Sequence, residues 1–127
     1  MYITIDATDK RAIYQQVVDE IKALIAQGEL PEGTSLPPVR QVAADLGVNL
    51  NTVAFAYRCL QREGLINVKH GSGAVVVSKL LGQTSEEQMR AQLRAALTQL
   101  VLAGFSRGEI TAVVSSELNA LTRDRSR

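Results

Sequence analysis

Residues 36–77, LPPVRQVAADLGVNLNTVAFAYRCLQREGLINVKHGSGAVVV, constrain the fold more than any other part of this chain. Two short helical patterns meet at Gly47, and two β-rich runs follow around a glycine-flanked tip. Pro37 and Pro38 open the first helix, because proline is tolerated where helix N–H groups have no partner anyway. That helix turns Val39, Val42, Ala43 and Leu46 inward and stops at Gly47. Asn49 is the expected N-cap of the next helix, residues 50–63. Its inward stripe is Val53, Ala56, Tyr57 and Leu60, and Gly64 ends it. Residues 66–69 and 74–78 read as paired strands joined through His70, Gly71, Ser72 and Gly73, where glycines are free to take positive φ. The expected fold is mainly α with a small β-hairpin wing: a winged helix-turn-helix, suited to a DNA groove and the neighbouring backbone.

The flanks are also helical. Residues 2–5 alternate apolar with polar and are expected to form a short edge strand, and Asp9 is placed to cap the helix after it. Over residues 11–27 the apolar positions Ile13, Tyr14, Val17, Val18, Ile21, Leu24 and Ile25 make one helical stripe. Gly28 closes it, and Pro31, Glu32 and Gly33 turn the chain. Beyond Lys79 the character changes. Thr84 with Glu87, and Ser106 with Glu109, have capping-box spacing ahead of helices at about 85–103 and 107–121. Met89, Leu93, Leu97, Leu100 and Val101 share one face of the first. Ile110, Val113, Val114, Leu118 and Leu121 share one face of the second. Residues 1–79 are thus expected to be the winged domain, and residues 80–127 a two-helix appendage with a frayed end.

Two strongly amphipathic helices in so short a chain need a surface on which to bury their stripes. A second copy supplies one, and a two-fold dimer matches a palindromic site. The expected dimerisation residues are Met89, Leu93, Leu97, Leu100, Val101, Ile110, Val113, Val114 and Leu118.

Composition bounds the alternatives. With 46% hydrophobic and 21% charged residues the chain is globular in type, and its single Cys59 can form no internal disulfide. Neither a signal-like segment nor a membrane-length apolar run is present, which points to a cytoplasmic protein with no membrane partner. Ligand-type residues do not cluster, the one His has no catalytic partners at recognisable spacing, and no phosphate-cradling loop occurs. No enzyme, metal site or cofactor is therefore expected. Basic and acidic residues balance through Lys79, which is unusual for a nucleic-acid binder. Within residues 36–77, however, Arg40, Arg58, Arg62 and Lys69 outnumber Asp45 and Glu63. Such a footprint gives a shallow salt dependence and gains from doubling in a dimer.

The helix at 50–63 turns Leu50, Asn51, Ala54, Phe55, Arg58 and Arg62 away from its core stripe. Asn51 can pair with an adenine edge in bidentate fashion, Thr52 can bond a base or phosphate, and Arg58 can reach a phosphate or guanine. A solvated face is the bland alternative, but solvated faces rarely carry Leu50 and Phe55 together. Asn49, at the head of this helix, joins the candidates. For Arg40 the alternative is a surface pair with Asp45. At the wing, Lys69, His70, Gly71 and Ser72 give a small basic tip that can approach phosphates or the minor groove.

The same stretch resembles the DNA-binding signature of the GntR family of bacterial transcription regulators. The matching residues are Leu36-Pro37 with Arg40, Val42-Ala43, Leu46-Gly47-Val48, Asn51-Thr52-Val53, Glu63-Gly64-Leu65, and Gly71 with Gly73. Tyr14-Gln15-Gln16 and Gly28-Glu29-Leu30 extend the resemblance upstream. The short tail is similar to that of the YtrA-type subfamily, where it is implied to dimerise. The resemblance implies a repressor that blocks promoters, with double-stranded DNA and a second copy as partners. It also implies that Arg40 and the wing touch DNA. Three positions depart from the family pattern: Pro38 stands where many relatives have Ser, Leu50 where many have Arg, and Phe55 where a basic residue is common. These imply fewer charged contacts and more apolar ones, thymine methyls included. An unidentified small-molecule effector, if one acts, would need a crevice between the two regions or at the dimer interface. A winged-helix module that binds protein rather than DNA is the competing function.

Overall fold

The computed structural model describes residues 3–69, 73–77 and 85–122. The chain divides into two compact units, Met1–Leu80 and Leu81–Arg127.

In the first unit α1 spans Ile13–Ala26, β1 Ser35–Leu36, α2 Val39–Leu46, α3 Leu50–Arg62, β2 Ile66–Lys69 and β3 Gly73–Val76. Of the stripe expected on α1, Val17, Val18 and Ile21 are buried and join Val42, Ala43, Val53, Ala56, Tyr57, Leu60, Ile66, Ala74 and Val76 in one core. Tyr14, Leu24 and Ile25 are half-buried against it, and Ile13, in the first turn, is 43% exposed. Apolar burial of this kind holds three helices and a small sheet together where no single helix would be stable alone. Gly47 makes the tight turn between α2 and α3 possible. It sits at φ 69°, ψ 31°, left-handed backbone that costs a β-carbon-bearing residue strain. From there the Val48 N–H reaches back to the Ala43 carbonyl at 3.1 Å. Asn49 caps α3 as expected, its side-chain oxygen accepting from the Asn51 N–H at 2.7 Å.

The wing has three strands, not two. β3 lies between β2 and β1, antiparallel to both, in the order β1-β3-β2. Ser35 pairs with Val75 and Leu36 with Ala74, while Lys69 pairs with Gly73 across the hairpin. β1 has two residues and ends against Pro37, too short to show alternation.

The start of the chain departs from expectation. Ile3–Ile5 is not a strand, although Ile3 and Ile5 do pack against the core. The alternation at 3–5 reflects that packing, since none of the described strands pairs with it; Tyr2 lies outside the described residues. What fixes the segment is Gln16, a 3%-exposed residue of α1. Its side chain accepts from the Asp6 N–H at 2.9 Å and donates to the Asp6 and Arg11 carbonyls. Asp9 does not cap α1. It binds the backbone and guanidinium of Arg11, and the N-cap position falls to Ala12, which has no side-chain cap.

In the second unit α4 spans Glu86–Leu102 and α5 Arg107–Thr122. The box at Ser106 and Glu109 forms as expected. The one at α4 uses Ser85 and Gln88 rather than Thr84 and Glu87. The helix starts one residue later, which puts Glu86 and Glu87 in its first turn, where carboxylates favour the helix dipole; Thr84 lies outside the described residues. Gly104, at φ 94°, turns the chain between the helices. Neither helix buries a residue. Leu97, Leu100, Ile110 and Val114 are half-buried, whereas Met89, Leu93, Val101, Val113 and Leu118 are exposed.

Candidate nucleic-acid interface

α3 buries Val53, Ala56, Tyr57 and Leu60, and the opposite face carries what the sequence placed there. Asn51 and Arg58 are exposed, Thr52 and Ala54 half-buried. Leu50 and Phe55 are 45% and 37% exposed. The helix N-terminus, with its outward N–H groups and positive dipole end, lies beside Leu50 and Asn51, an arrangement that favours phosphate. Asn49 is partly committed: its carboxamide oxygen is used in the cap, which leaves its NH2 to donate.

Arg40 is exposed on the second residue of α2. Among the described residues it makes no ion pair, and the alternative pairing with Asp45 does not form. Its helix is tied to α3 through Tyr57, whose hydroxyl donates to the Pro37 carbonyl at 2.7 Å. On the other side of α3, the Gln61 side chain accepts from the Val68 N–H at 2.9 Å, fastening the helix to the wing. The Lys22 ammonium meets the Glu63 carboxylate at 2.7 Å and anchors α1 near the end of α3. None of these three links is legible in the sequence. Each joins residues from different elements, which helical or strand periodicity does not register. Lys69 ends β2 where the hairpin tip begins; His70, Gly71 and Ser72 lie outside the described residues.

Phe55 does not stand alone on this surface. Its ring meets Tyr14 of α1 edge to face, with centroids 4.7 Å apart and planes at 78°. The Arg58 guanidinium carbon lies 5.7 Å from the Phe55 ring centroid, within cation–π range. Arg58 has no carboxylate partner among the described residues. Arg11 differs: Asp9 and Asp19 each hold it at 2.6 Å. Asp9 above all raises the guanidinium further above its ordinary value, while the bonds from Arg11 lower the Asp9 carboxyl. The Arg11 charge is spent within the domain, while Arg40 and Arg58 keep theirs on the α2–α3 surface.

Among the described residues no group of three or more His, Cys, Asp or Glu side chains could hold a metal. None of the described helices is long and apolar enough to cross a membrane.

A turn joining α2 to an outward-facing α3, with a three-stranded wing behind it, defines a winged helix-turn-helix protein. Residues 13–76 match the family model described as bacterial regulatory proteins, gntR family, and the chain belongs to that family of transcriptional regulators, not to a family of enzymes. It is 34% identical over 100 residues to the HTH-type transcriptional repressor YtrA of Bacillus subtilis, a match covering 79% of this chain and 76% of that protein. Among solved structures it is similar to a transcriptional antiterminator from Listeria monocytogenes, at TM-score 0.83 and 28% identity, covering 95% of this chain and 92% of that one. It is also similar to YtrA from Sulfolobus acidocaldarius, a GntR-family transcription factor, at TM-score 0.62 and 41% identity, covering 76% and 97%.

Proposed function

We propose that this regulator is a sequence-specific repressor that binds a palindromic operator as a homodimer in the cytoplasm. One observation carries the reading: Arg40, Asn51 and Arg58 are exposed on adjoining helices, with no carboxylate drawing off either arginine's charge among the described residues. α3 enters the major groove, with Asn51 on an adenine edge and Thr52 on a base or phosphate. Arg58 reaches a guanine or phosphate, and Arg40 a phosphate. Leu50 adds apolar contact beside them. Lys69 and the tip residues His70, Gly71 and Ser72 lie along the backbone or minor groove. The relative in Bacillus subtilis is named a repressor, which supports action by occluding a promoter.

Dimerisation is assigned to residues 80–127. Leu93, Val101 and Leu118 are each more than half exposed in the single chain, on helices that bury nothing of their own. A second copy covers those faces and sets two winged domains, residues 1–79, on successive half-sites. The reading requires no cofactor, and any small-molecule effector would act at the dimer interface.

An electrophoretic mobility assay on the full chain tests the reading. Sequence-specific duplex binding is expected, weakened roughly 10- to 100-fold by Asn51→Ala through loss of the bidentate base contact. Arg40→Ala should weaken all duplexes alike and reduce the salt slope by about one. Equal, weak affinity for every duplex would instead favour a module that binds protein.

A further inference from the structure

Tyr14, Phe55 and Arg58 form a stack that starts in the groove between α1 and α3 and ends on the exposed face of α3. Tyr14 is half-buried in the first turn of α1, and Phe55 and Arg58 are one turn apart on α3. Tyr14 fixes the Phe55 ring edge to face at 4.7 Å, and the ring lies under the Arg58 guanidinium at 5.7 Å. Both helices are anchored independently of the stack, by Val17, Val18 and Ile21 in the core with Val53, Ala56 and Leu60.

An arginine on an open helix face samples many rotamers, and ordering it on DNA costs entropy. A carboxylate partner would order it at the expense of its charge, as Asp9 and Asp19 do for Arg11. An aromatic face orders the guanidinium and leaves its charge and its five donors free. Sequence alone suggests that Phe55 contacts thymine methyls directly, but the ring is already engaged on two sides.

We propose that Phe55, buttressed by Tyr14, is a positioning residue that holds Arg58 ready for DNA, so that Phe55 contributes to affinity through Arg58 and not through a base. This rests on the DNA-binding reading above.

A double-mutant cycle on the full chain tests it, using a duplex recovered by selection from random DNA. Phe55→Leu keeps an apolar group against Tyr14 and removes the ring. It should weaken operator binding about three- to tenfold with Arg58 present, and by less than about twofold in an Arg58→Ala background. Tyr14→Leu, on the other element, should behave in the same direction, and Phe55→Trp should retain affinity. In the free protein, NMR should show the Arg58 δ-methylene protons shifted upfield by the ring, with the shift lost in Phe55→Leu and kept in Phe55→Trp. Equal losses from Phe55→Leu in both backgrounds, or no upfield shift, overturn the proposal while leaving the DNA reading intact. Failure of the unmutated chain to enrich any duplex overturns both, and is seen before any variant is compared.

Discussion

The Tyr57 hydroxyl donates a 2.7 Å hydrogen bond to the Pro37 carbonyl, joining the middle of α3 to the proline turn that launches α2. The Pro37 carbonyl lies one residue ahead of the first bond of α2, which runs from the Val42 N–H to the Pro38 carbonyl at 3.1 Å, so the phenol supplies its partner. Tyr57 thereby fixes where α2, and Arg40 on it, stands relative to the outward face of α3.

Removing that hydroxyl should cost about 1 kcal/mol in Tyr57→Phe, the worth of a buried hydrogen bond whose acceptor is left unpaired. Burial pushes the phenol up to about 12, against about 10 in an unfolded chain. The folded state therefore holds its proton where the unfolded state has lost it. This contribution is complete below the unfolded value and is lost as pH rises from about 10 through 12. Urea denaturation across that range should show a steeper decline for the unmutated chain than for Tyr57→Phe.

Gly73 of the wing cannot accept a side chain without strain. It sits at φ +88°, and a β-carbon there would lie 3.0 Å from the Leu36 carbonyl oxygen on the paired strand. Gly33 has a similar φ of +91° with nothing within 4 Å. Gly33→Ala should cost about 1 kcal/mol of backbone strain, and Gly73→Ala about 2 kcal/mol or more. Denaturant midpoints of the two variants separate strain from crowding.

Asn49 holds the head of α3 through the Asn51 N–H. Asn49→Ala should destabilise the domain by about 1 kcal/mol, and Asn49→Ser or Asn49→Asp by much less, because either side chain restores an acceptor. Thermal unfolding followed by circular dichroism measures the difference.

Leu93 and Leu118 are 54% and 53% exposed on helices without a buried residue. If a second copy covers them, Leu93→Asp with Leu118→Asp should sediment as a monomer and keep its helical signal. Its affinity for a full palindrome should fall more than about tenfold, with little change on an isolated half-site.

Local rules exposed much of this fold. The helix-turn-helix was legible because Gly47, Asn49 and the stripe of α3 each act within a few residues. The relations that shape the candidate interface were not. β1 is two residues long and exists only because β3 passes beside it. Gln16 resembles any polar helix residue until Asp6 folds back over it. Phe55 was legible as an outward apolar residue, but Tyr14 lies forty-one positions earlier in the chain, and nothing in either helix's pattern announces that their rings meet. Asp9 misleads for the opposite reason: its local capping propensity is outcompeted by Arg11, two residues on.

If α3 and the wing read DNA as a two-fold pair, the sequence they select is itself two-fold symmetric. Selection of bound duplexes from a random pool by the full chain measures this. The expected product is an inverted repeat whose half-sites are spaced by about one helical turn or a multiple of it, with enrichment lost in Asn51→Ala. Recovery of no common sequence, or of a single half-site without symmetry, would contradict it.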